Sequence, residues 1–402
     1  MRILLSTIGS RGDVQPLVAL ALALREMDQA VHFCVPPDFR QWIEDLGFTV
    51  TTIGPELRQT GKAGPPSAPP DPEQLRLVLQ ESVNNQFETL LEAAAGCDAI
   101  LGATALQIAA PSVARYLGIS YTFVAYSPCV LPSRDHAPPV LTRLGEVPND
   151  NPDDFQSLWD QDAARWNGMW LEALNSNRNR LKLPPLADVR SHVLTEAPWL
   201  AADPALAPWT GDSRVWQTGP WLIDDAQPLN AEVEEFLAAG EAPVYFGFGS
   251  IRVTPGLNEA MIQSARNVGR RVIVSRGWAE LSVPQGQADC LAIGEVNQQL
   301  LFRRVAAVVH HGGAGTTTAA ARASAPQVII PQLYDQPYWS QRIQALGIGV
   351  AHPFGTADEQ SLTGALSASL KSAIAERTAQ FAAVMQADGA EVAARKLVDQ
   401  IP

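Results

Sequence analysis

The stretch Val308-Val309-His310-His311-Gly312-Gly313-Ala314-Gly315-Thr316-Thr317-Thr318 decides how this chain is interpreted. The apolar run at 305–309 predicts a buried parallel strand, and the small residues at 316–323 predict a helix. A strand that enters a helix through glycine-rich backbone leaves N–H groups without intrahelical partners. Those amides and the positive end of the helix dipole attract phosphate, and a histidine before the glycines can add a donor. We therefore predict a phosphorylated ligand near residue 312.

Two common phosphate motifs do not describe this turn. It is neither G-x-G-x-x-G nor G-x-x-x-x-G-K-[ST], so neither a dinucleotide-binding nor a P-loop interpretation is supported. A plain tight turn would also explain a glycine-rich connection between a strand and a helix. The double histidine and triple threonine are the more particular part of the pattern.

Length and charge limit the classes of protein. The chain has 402 residues, 46% of them hydrophobic, which suggests about two domains. The net charge of −13 disfavours binding to nucleic acid or to anionic membranes. No apolar run approaches a membrane span, and the apolar start is too short for a signal peptide. The four scattered cysteines form no C-x-x-C pair, so we expect a reducing cytoplasm.

Strands and helices alternate twice along the chain, which predicts two parallel, doubly wound α/β sheets. We place the boundary near Pro220, giving domains 1–219 and 220–385 and a C-terminal helix, 386–402, that could pack back on the first domain. Residues 127–170 predict a loop and helices outside the sheet, and 61–72 a mobile loop. In such sheets ligands bind beyond the carboxyl ends of the strands, here across the cleft between the domains. The predicted helices include 16–27, 360–376 and 378–400.

The loop after the first strand reads Gly9-Ser10-Arg11-Gly12-Asp13-Val14-Gln15-Pro16. Asp13 either stabilises the first turn of the next helix or acts as a general base facing the cleft. A helix N-terminus should lower the pKa of an aspartate below its usual value of about 3.9. A carboxylate of that kind is a weak base that still accepts a proton from a hydroxyl held against it.

Two further loops follow predicted strands in the second domain. Gly247-Phe248-Gly249-Ser250 allows close backbone approach, and Ser250 could donate to a phosphate or a sugar, although a plain turn is the alternative. Asp335 and Gln336 offer acceptor oxygens and an amide donor that suit vicinal sugar hydroxyls. A helix cap, with Pro337 in the first turn, is the alternative there.

Metal chemistry is not indicated. The D-x-D motif Asp160-Gln161-Asp162 lies in an acidic, helical segment and is interpreted as a solvated helix face. A leaving diphosphate would then be stabilised by backbone amides, the helix dipole and histidine. His32 is placed in a strand and His192 before one, whereas His136 could line an acceptor site.

Five motifs in order resemble the family 1 glycosyltransferases, inverting enzymes with the GT-B fold of two Rossmann-like domains facing across a cleft. They are 9–16, 247–250, Ser275-Arg276-Gly277-Trp278, the run from His310, and 331–336, and they are similar to those of enzymes that glycosylate antibiotic aglycones and of sterol glucosyltransferases. Plant members carry a histidine at the position of Asp13.

The resemblance implies roles for matching residues. Asp13, with Ser10, would form the catalytic pair, and Asp335 and Gln336 would hold the donor sugar. The segment at 295–298 would border the base. The implied donor-binding residues are Ser250, Arg276, Trp278, Val296, Gln298, His310, Gly312, Gly313, Ala314, Gly315, Thr316, Asp335 and Gln336.

The predicted reaction is direct displacement. A hydroxyl of a hydrophobic aglycone attacks the anomeric carbon of a UDP- or TDP-sugar opposite the diphosphate, with inversion, no metal and no cofactor. The alternatives are a nucleotide-sugar epimerase of the same architecture and a silent homologue that only binds nucleotide sugar. We expect a cytoplasmic monomer or weak dimer that binds no nucleic acid.

Overall fold

The structure is a computed structural model that describes residues 1–58, 71–104, 106–141, 146–149, 151–251, 256–278, 280–284, 286–354 and 357–400. It contains two parallel sheets flanked by helices, as the alternating pattern predicts. The predicted loop at 61–72 lies almost wholly outside the described residues. Among the described residues, no helix combines the length and the apolar character that crossing a membrane requires.

The N-terminal sheet has the strand order β3-β2-β1-β4-β5-β6-β7, and all its pairs are parallel. Its strands are β1 (Arg2–Thr7), β2 (Ala30–Val35), β3 (Thr49–Thr52), β4 (Ala99–Ala103), β5 (Ser120–Ala125), β6 (Trp199–Leu200) and β7 (Trp216–Gln217). The two-residue strands β6 and β7 are absent from the sequence prediction, because an alternating or apolar pattern needs more residues to be visible.

The C-terminal sheet has the order β10-β9-β8-β11-β12-β13 and is also entirely parallel. Its strands are β8 (Val244–Gly247), β9 (Val272–Ser275), β10 (Cys290–Ile293), β11 (Ala307–His310), β12 (Gln327–Ile329) and β13 (Gly349–Ala351). In both sheets the chain reverses its direction of winding beside a central strand, at β1/β4 and at β8/β11. Such switch points open a crevice for ligands at the carboxyl ends of the strands.

The helices are α1 (Arg11–Glu26), α2 (Arg40–Asp45), α3 (Pro72–Ala93), α4 (Ala110–Leu117), α5 (Phe155–Arg180), α6 (Val189–Leu194), α7 (Ala231–Ala238), α8 (Leu257–Asn267), α9 (Gln298–Phe302), α10 (Ala314–Arg322), α11 (Gln336–Ala345), α12 (Glu359–Ser369), α13 (Ser372–Ala382) and α14 (Gly389–Gln400). Two predictions of helix bounds are wrong. The first helix begins at Arg11 rather than at residue 16, and three helices replace the two predicted after residue 359. His192, predicted to precede a strand, lies within α6, which is followed by β6.

The two domains share apolar packing. One buried cluster contains Leu131 and Leu206 of the first domain together with Ile329, Trp339 and Ile343 of the second. The last helix, α14, buries its alanines and Leu397 in the core of the first domain, beside α1. The chain therefore crosses between the domains twice, once near residue 220 and once before α14.

Candidate active site

The first turn of α1 places Asp13 at the carboxyl edge of the N-terminal sheet. Ser10 is the N-cap, and its backbone N–H and hydroxyl donate to Asp13 Oδ2 at 2.6 and 3.2 Å. Gly9 lies against the same carboxylate, since a Cβ there would be 2.2 Å from Asp13 Oδ2. The residues of the Gly9-Ser10 turn therefore fix one orientation of the Asp13 side chain.

The expected lowering of the pKa of Asp13 is wrong. Withdrawal of the carboxylate from solvent raises the pKa to about 6, although the hydrogen bonds from Ser10 act in the opposite direction. Burial disfavours the charged form more strongly than the helix terminus and two donors favour it. Asp13 is thus a stronger base than its position in the helix suggests.

A residue that sequence reasoning missed supports Asp13. Tyr126 follows β5, and its hydroxyl donates to the main-chain oxygen of Asp13 at 3.1 Å. Its ring makes an edge contact with Trp221, at 6.2 Å between centroids. Trp221 belongs to the connection between the domains and is 3% exposed. Nothing local in the sequence links residues 126 and 13, so only the neighbouring positions of β1, β4 and β5 bring them together.

The glycine-rich turn lies at the carboxyl end of β11, on the opposite domain. Gly312 has φ +95°, and a Cβ there would be 2.7 Å from Ile329, so this turn requires glycine. Gly313 is the N-cap of α10, and Ala314, Gly315 and Thr316 form its first turn. Nothing lies within 4 Å of the position of a Cβ on Gly315, so this backbone is open to a ligand.

The two histidines of the turn differ in availability. His310 is fully buried; its Nδ1 accepts from the Gly312 N–H at 3.1 Å, and its Nε2 lies 2.9 Å from Gln327 Oε1. Because Nδ1 accepts, Nε2 carries the proton and donates to Gln327. Burial lowers the pKa of His310 to about 3. His310 thus has no free donor for a diphosphate, in contrast to the role that the resemblance implies for it.

His311 is the histidine that faces the glycines. A Cβ on Gly313 would lie 2.7 Å from His311 Nε2, and one on Gly249 would lie 3.4 Å from its Cε1. The ring therefore stands between the turns that follow β8 and β11. Burial lowers its pKa to about 4, so the imidazole is neutral before an anion binds.

Asp335 and Gln336 begin α11 beside the same cleft. The Trp339 indole N–H donates to Asp335 Oδ2 at 2.9 Å, and Gln336 Oε1 accepts from the N–H groups of Gln332 and Leu333 at 2.8 and 3.2 Å. Burial, with the charge of Asp13 contributing, raises the pKa of Asp335 to about 6. The structure thus brings one carboxylate from each domain within electrostatic reach.

The remaining donor-site candidates lie around the carboxyl edge of the second sheet. The Trp278 N–H donates to the Gly249 carbonyl at 2.9 Å, which ties its loop to that of Ser250, and Arg276 bonds back to Ile293. The Trp278 side chain packs against the core of the first domain. Val296 packs against the second core, and Gln298 begins α9.

The D-x-D motif is not the solvated surface that the sequence suggests. Asp160 is exposed, but Asp162 is 4% exposed and forms ion pairs with Arg165 and Arg190. Two arginines compensate the cost of withdrawing this carboxylate from water. Among the residues that the structure describes, no cluster of three histidine, cysteine, aspartate or glutamate side chains could hold a metal ion.

Comparisons with known proteins agree with this geometry. Residues 3–114 match the Glycosyltransferase family 28 N-terminal domain, and residues 281–398 match the Erythromycin biosynthesis protein CIII-like, C-terminal domain. Glycosyltransferase GtfE of Amycolatopsis orientalis is 44% identical over 98% of this chain and 96% of its own length. Vancomycin aglycone glucosyltransferase of the same organism is 43% identical over 100% and 98%.

Solved structures share the fold. The glycotransferase of kitacinnamycin has a TM-score of 0.74 at 18% identity, covering 100% of this chain and 99% of its own. The Streptomyces sp. SF2575 glycosyltransferase SsfS6, complexed with thymidine diphosphate, has a TM-score of 0.64 at 19% identity, covering 99% of each chain. The solved structures confirm the two-domain GT-B architecture, and the relatives at 43–44% identity together with the family matches show a glycosyltransferase. The chain therefore belongs to the antibiotic-type family 1 glycosyltransferases.

Proposed function

We propose that this glycosyltransferase moves a sugar from a nucleoside diphosphate to a hydroxyl of a hydrophobic small molecule, with inversion and with Asp13 as the base. The observation that carries the proposal is the carboxylate of Asp13, anchored by Ser10 and within electrostatic reach of Asp335 of the other domain. A base with a pKa of about 6 is ionised at neutral pH and still strong enough to take a proton as a hydroxyl attacks.

The donor diphosphate is assigned to the open amides of 313–316, at the N-terminus of α10, and to His311. We assign this role to His311 rather than His310 because His310 uses both ring nitrogens within the protein. An anion beside His311 would favour its protonated form and so offset the effect of burial on the pKa. The amides, the dipole of α10 and this imidazole supply the charge stabilisation of the leaving group without a metal.

Thymidine diphosphate is the nucleotide we favour over uridine diphosphate. SsfS6 is described in complex with thymidine diphosphate, and another relative, 39% identical, is named dTDP-epi-vancosaminyltransferase. Asp335 would accept hydrogen bonds from the hydroxyls of the sugar through the oxygen lone pairs that Trp339 leaves unused. Gln336 already bonds to the loop through its oxygen, so we assign to it mainly the shaping of that loop.

The acceptor is assigned to the N-terminal side of the cleft. Leu106, which follows β4, is 43% exposed at the carboxyl edge of the sheet. One relative is named Vancomycin aglycone glucosyltransferase, which supports an antibiotic aglycone as the kind of acceptor. In the reaction, the acceptor oxygen bonds to the anomeric carbon as the bond to the diphosphate breaks, and its proton passes to Asp13. Holding both substrates across the cleft supplies orientation.

A donor-turnover assay tests the proposal. Purified protein is supplied with TDP- or UDP-glucose, with and without a panel of phenolic, sterol, polyketide and peptide aglycones. Release of nucleoside diphosphate only with acceptor, and a β-linked product from an α-linked donor, are expected. Donor conversion without acceptor would indicate the epimerase alternative, and binding without turnover the silent homologue. A metal chelator should leave the rate unchanged; the cytoplasmic location and the oligomeric state remain predictions.

A further inference from the structure

A pair of main-chain hydrogen bonds joins the two domains directly beside the donor-sugar residues. The Val140 N–H donates to the Tyr334 carbonyl at 3.0 Å, and the Tyr334 N–H donates to the Val140 carbonyl at 2.7 Å. Tyr334 has φ +55°, a conformation that non-glycine residues rarely adopt without support. Residue 140 of the N-terminal domain therefore helps to hold the backbone that leads into Asp335.

The loop from 332 to 336, which contains Tyr334, is compact. Gln336 Oε1 accepts two backbone N–H groups, those of Gln332 and Leu333, so the loop from 332 to 336 closes on itself. Asp335 is fixed from the other side by the Trp339 indole. A displacement of Tyr334 would thus be passed to Asp335 and Gln336 together.

Aromatic contacts strengthen the same junction. The ring of Tyr338, in the first turns of α11, makes an edge contact with His136 at 6.1 Å between centroids. The His136 ring also contacts Trp159 and Trp209, each at 6.0 Å. The Trp159 indole donates to the His136 carbonyl at 2.9 Å and fixes its backbone. Helix α11 is therefore held against the first domain through the His136 ring, which Trp159 and Trp209 support.

An ion network supports this segment from α5. The buried Asp162 pairs with Arg190 at 3.1 Å and with Arg165, and Arg165 also pairs with Glu146. Glu146 Oε2 accepts from the Leu141 N–H at 2.9 Å, next to the bridging Val140. Three side chains, Asp162, Arg165 and Glu146, thus connect the D-x-D motif to the junction between the domains.

We propose that residues 127–141, here named the clamp segment, position Asp335 and Gln336 against Asp13, so that binding of the donor sugar depends on the clamp while binding of the diphosphate does not. The inference rests on the proposed function of Asp335 and Gln336 as sugar-binding residues. The diphosphate turn at 312–316 lies on α10 and has its own support in His310, Gln327 and Ile329. Glu146 and Tyr338 are positioning residues in this scheme.

The test compares Glu146→Ala with Glu172→Ala. Both glutamates pair with an arginine, but Glu172 lies on the exposed side of α5, where it contacts Arg76 at 3.2 Å. Calorimetry measures the affinity for TDP and for TDP-glucose, and amide hydrogen exchange measures protection of the peptide containing 332–336. Tyr338→Leu and Tyr338→Phe form a second pair, in which phenylalanine keeps the ring and should retain wild-type behaviour.

In Glu146→Ala and Tyr338→Leu we expect TDP-glucose affinity to fall about five- to tenfold, the effect of about one lost hydrogen bond, with TDP affinity within twofold of wild type. Exchange at 332–336 should accelerate in both, but not in Glu172→Ala. Equal losses for TDP and TDP-glucose, or unchanged exchange at 332–336, would overturn the clamp. Failure of the proposed function would show separately, in wild type. If Asp335 and Gln336 do not bind the sugar, wild type should bind TDP-glucose no more tightly than TDP. The comparison of hydrogen exchange at 332–336 would still test the clamp in that case.

Discussion

Replacing the proposed base should stabilise the protein while abolishing transfer. In Asp13→Asn the side chain keeps its shape, and its amide oxygen can still accept from the Ser10 N–H, which bonds to Asp13 Oδ2 at 2.6 Å. The change removes the one property that burial opposes, which is the negative charge. Catalysis and stability should therefore move in opposite directions at this residue.

The magnitude follows from the pKa. A rise from 3.8 in the unfolded chain to about 6 in the folded protein corresponds to about 3 kcal/mol, at about 1.4 kcal/mol per pKa unit. Because Asp13 retains partial contact with solvent, we take about 1–3 kcal/mol as the expected range. The folded state binds the Asp13 proton more tightly than the unfolded chain does. Protonation of Asp13 therefore contributes fully to the stability of wild type below pH 3.8, and this contribution is lost as the pH rises through about 6.

Thermal unfolding at several pH values measures the effect. At pH 7.5 the melting temperature of Asp13→Asn should exceed that of wild type by about 2–12 °C, from about 2–4 °C per kcal/mol for a domain of this size. The two curves should converge only as the pH falls below 3.8, where Asp13 is protonated in both the folded and the unfolded chain. Asp358→Asn is the control, because this exposed aspartate caps α12 through the Ser361 N–H, and that bond lowers its pKa. It should gain no stability at pH 7.5.

The result that would refute the reasoning is a melting temperature of Asp13→Asn that is equal to or below that of wild type at pH 7.5, or a gain that does not change with pH. Either outcome would mean that the ionised carboxylate is not destabilised by its surroundings. Turnover in the presence of acceptor should fall by at least 100-fold in the same variant, the usual scale for loss of a general base. Full activity would remove Asp13 from the mechanism.

Four further measurements address the cleft. Transfer by wild type should rise with pH through about 6, since Asp13 must be ionised to accept a proton, and a flat rate from pH 5 to 8 would contradict this. Gly9→Ala would place a Cβ 2.2 Å from Asp13 Oδ2, so kcat should fall more than 10-fold, on the order of the effect of a displaced base, while calorimetry finds TDP binding retained. His311→Ala should weaken TDP binding by about 10-fold, the loss of one charge-assisted hydrogen bond, whereas His310→Ala should lower the melting temperature, because it leaves the Gly312 N–H unpaired. Gly312→Ala should lower both stability and TDP affinity, because the left-handed backbone and Ile329 exclude a side chain.

The secondary structure was predicted where a segment carries a strong local pattern and was missed where it does not. The apolar run at 305–309 and the small residues at 316–323 carry their own signals, so the strand and the helix around the glycine turn were predicted within two residues of β11 and α10. The start of α1 was missed because a serine N-cap with Asp13 three residues later begins the helix inside the motif that was interpreted as a loop. Strands β6 and β7 exist only because β5 offers them an edge.

The candidate site also has features that the sequence predicts and features that only the tertiary structure determines. The sequence alone determined which loops meet, because parallel strands deliver their carboxyl ends to one edge and the order of the motifs fixes the domains. Only the tertiary structure decided the chemistry of single groups: which histidine of the pair turns a ring nitrogen toward the glycine turn, whether burial or the helix terminus controls the pKa of Asp13, and that Asp162 is buried between arginines. These properties depend on solvent access and on partners distant in the chain, and neither is encoded in local residue order.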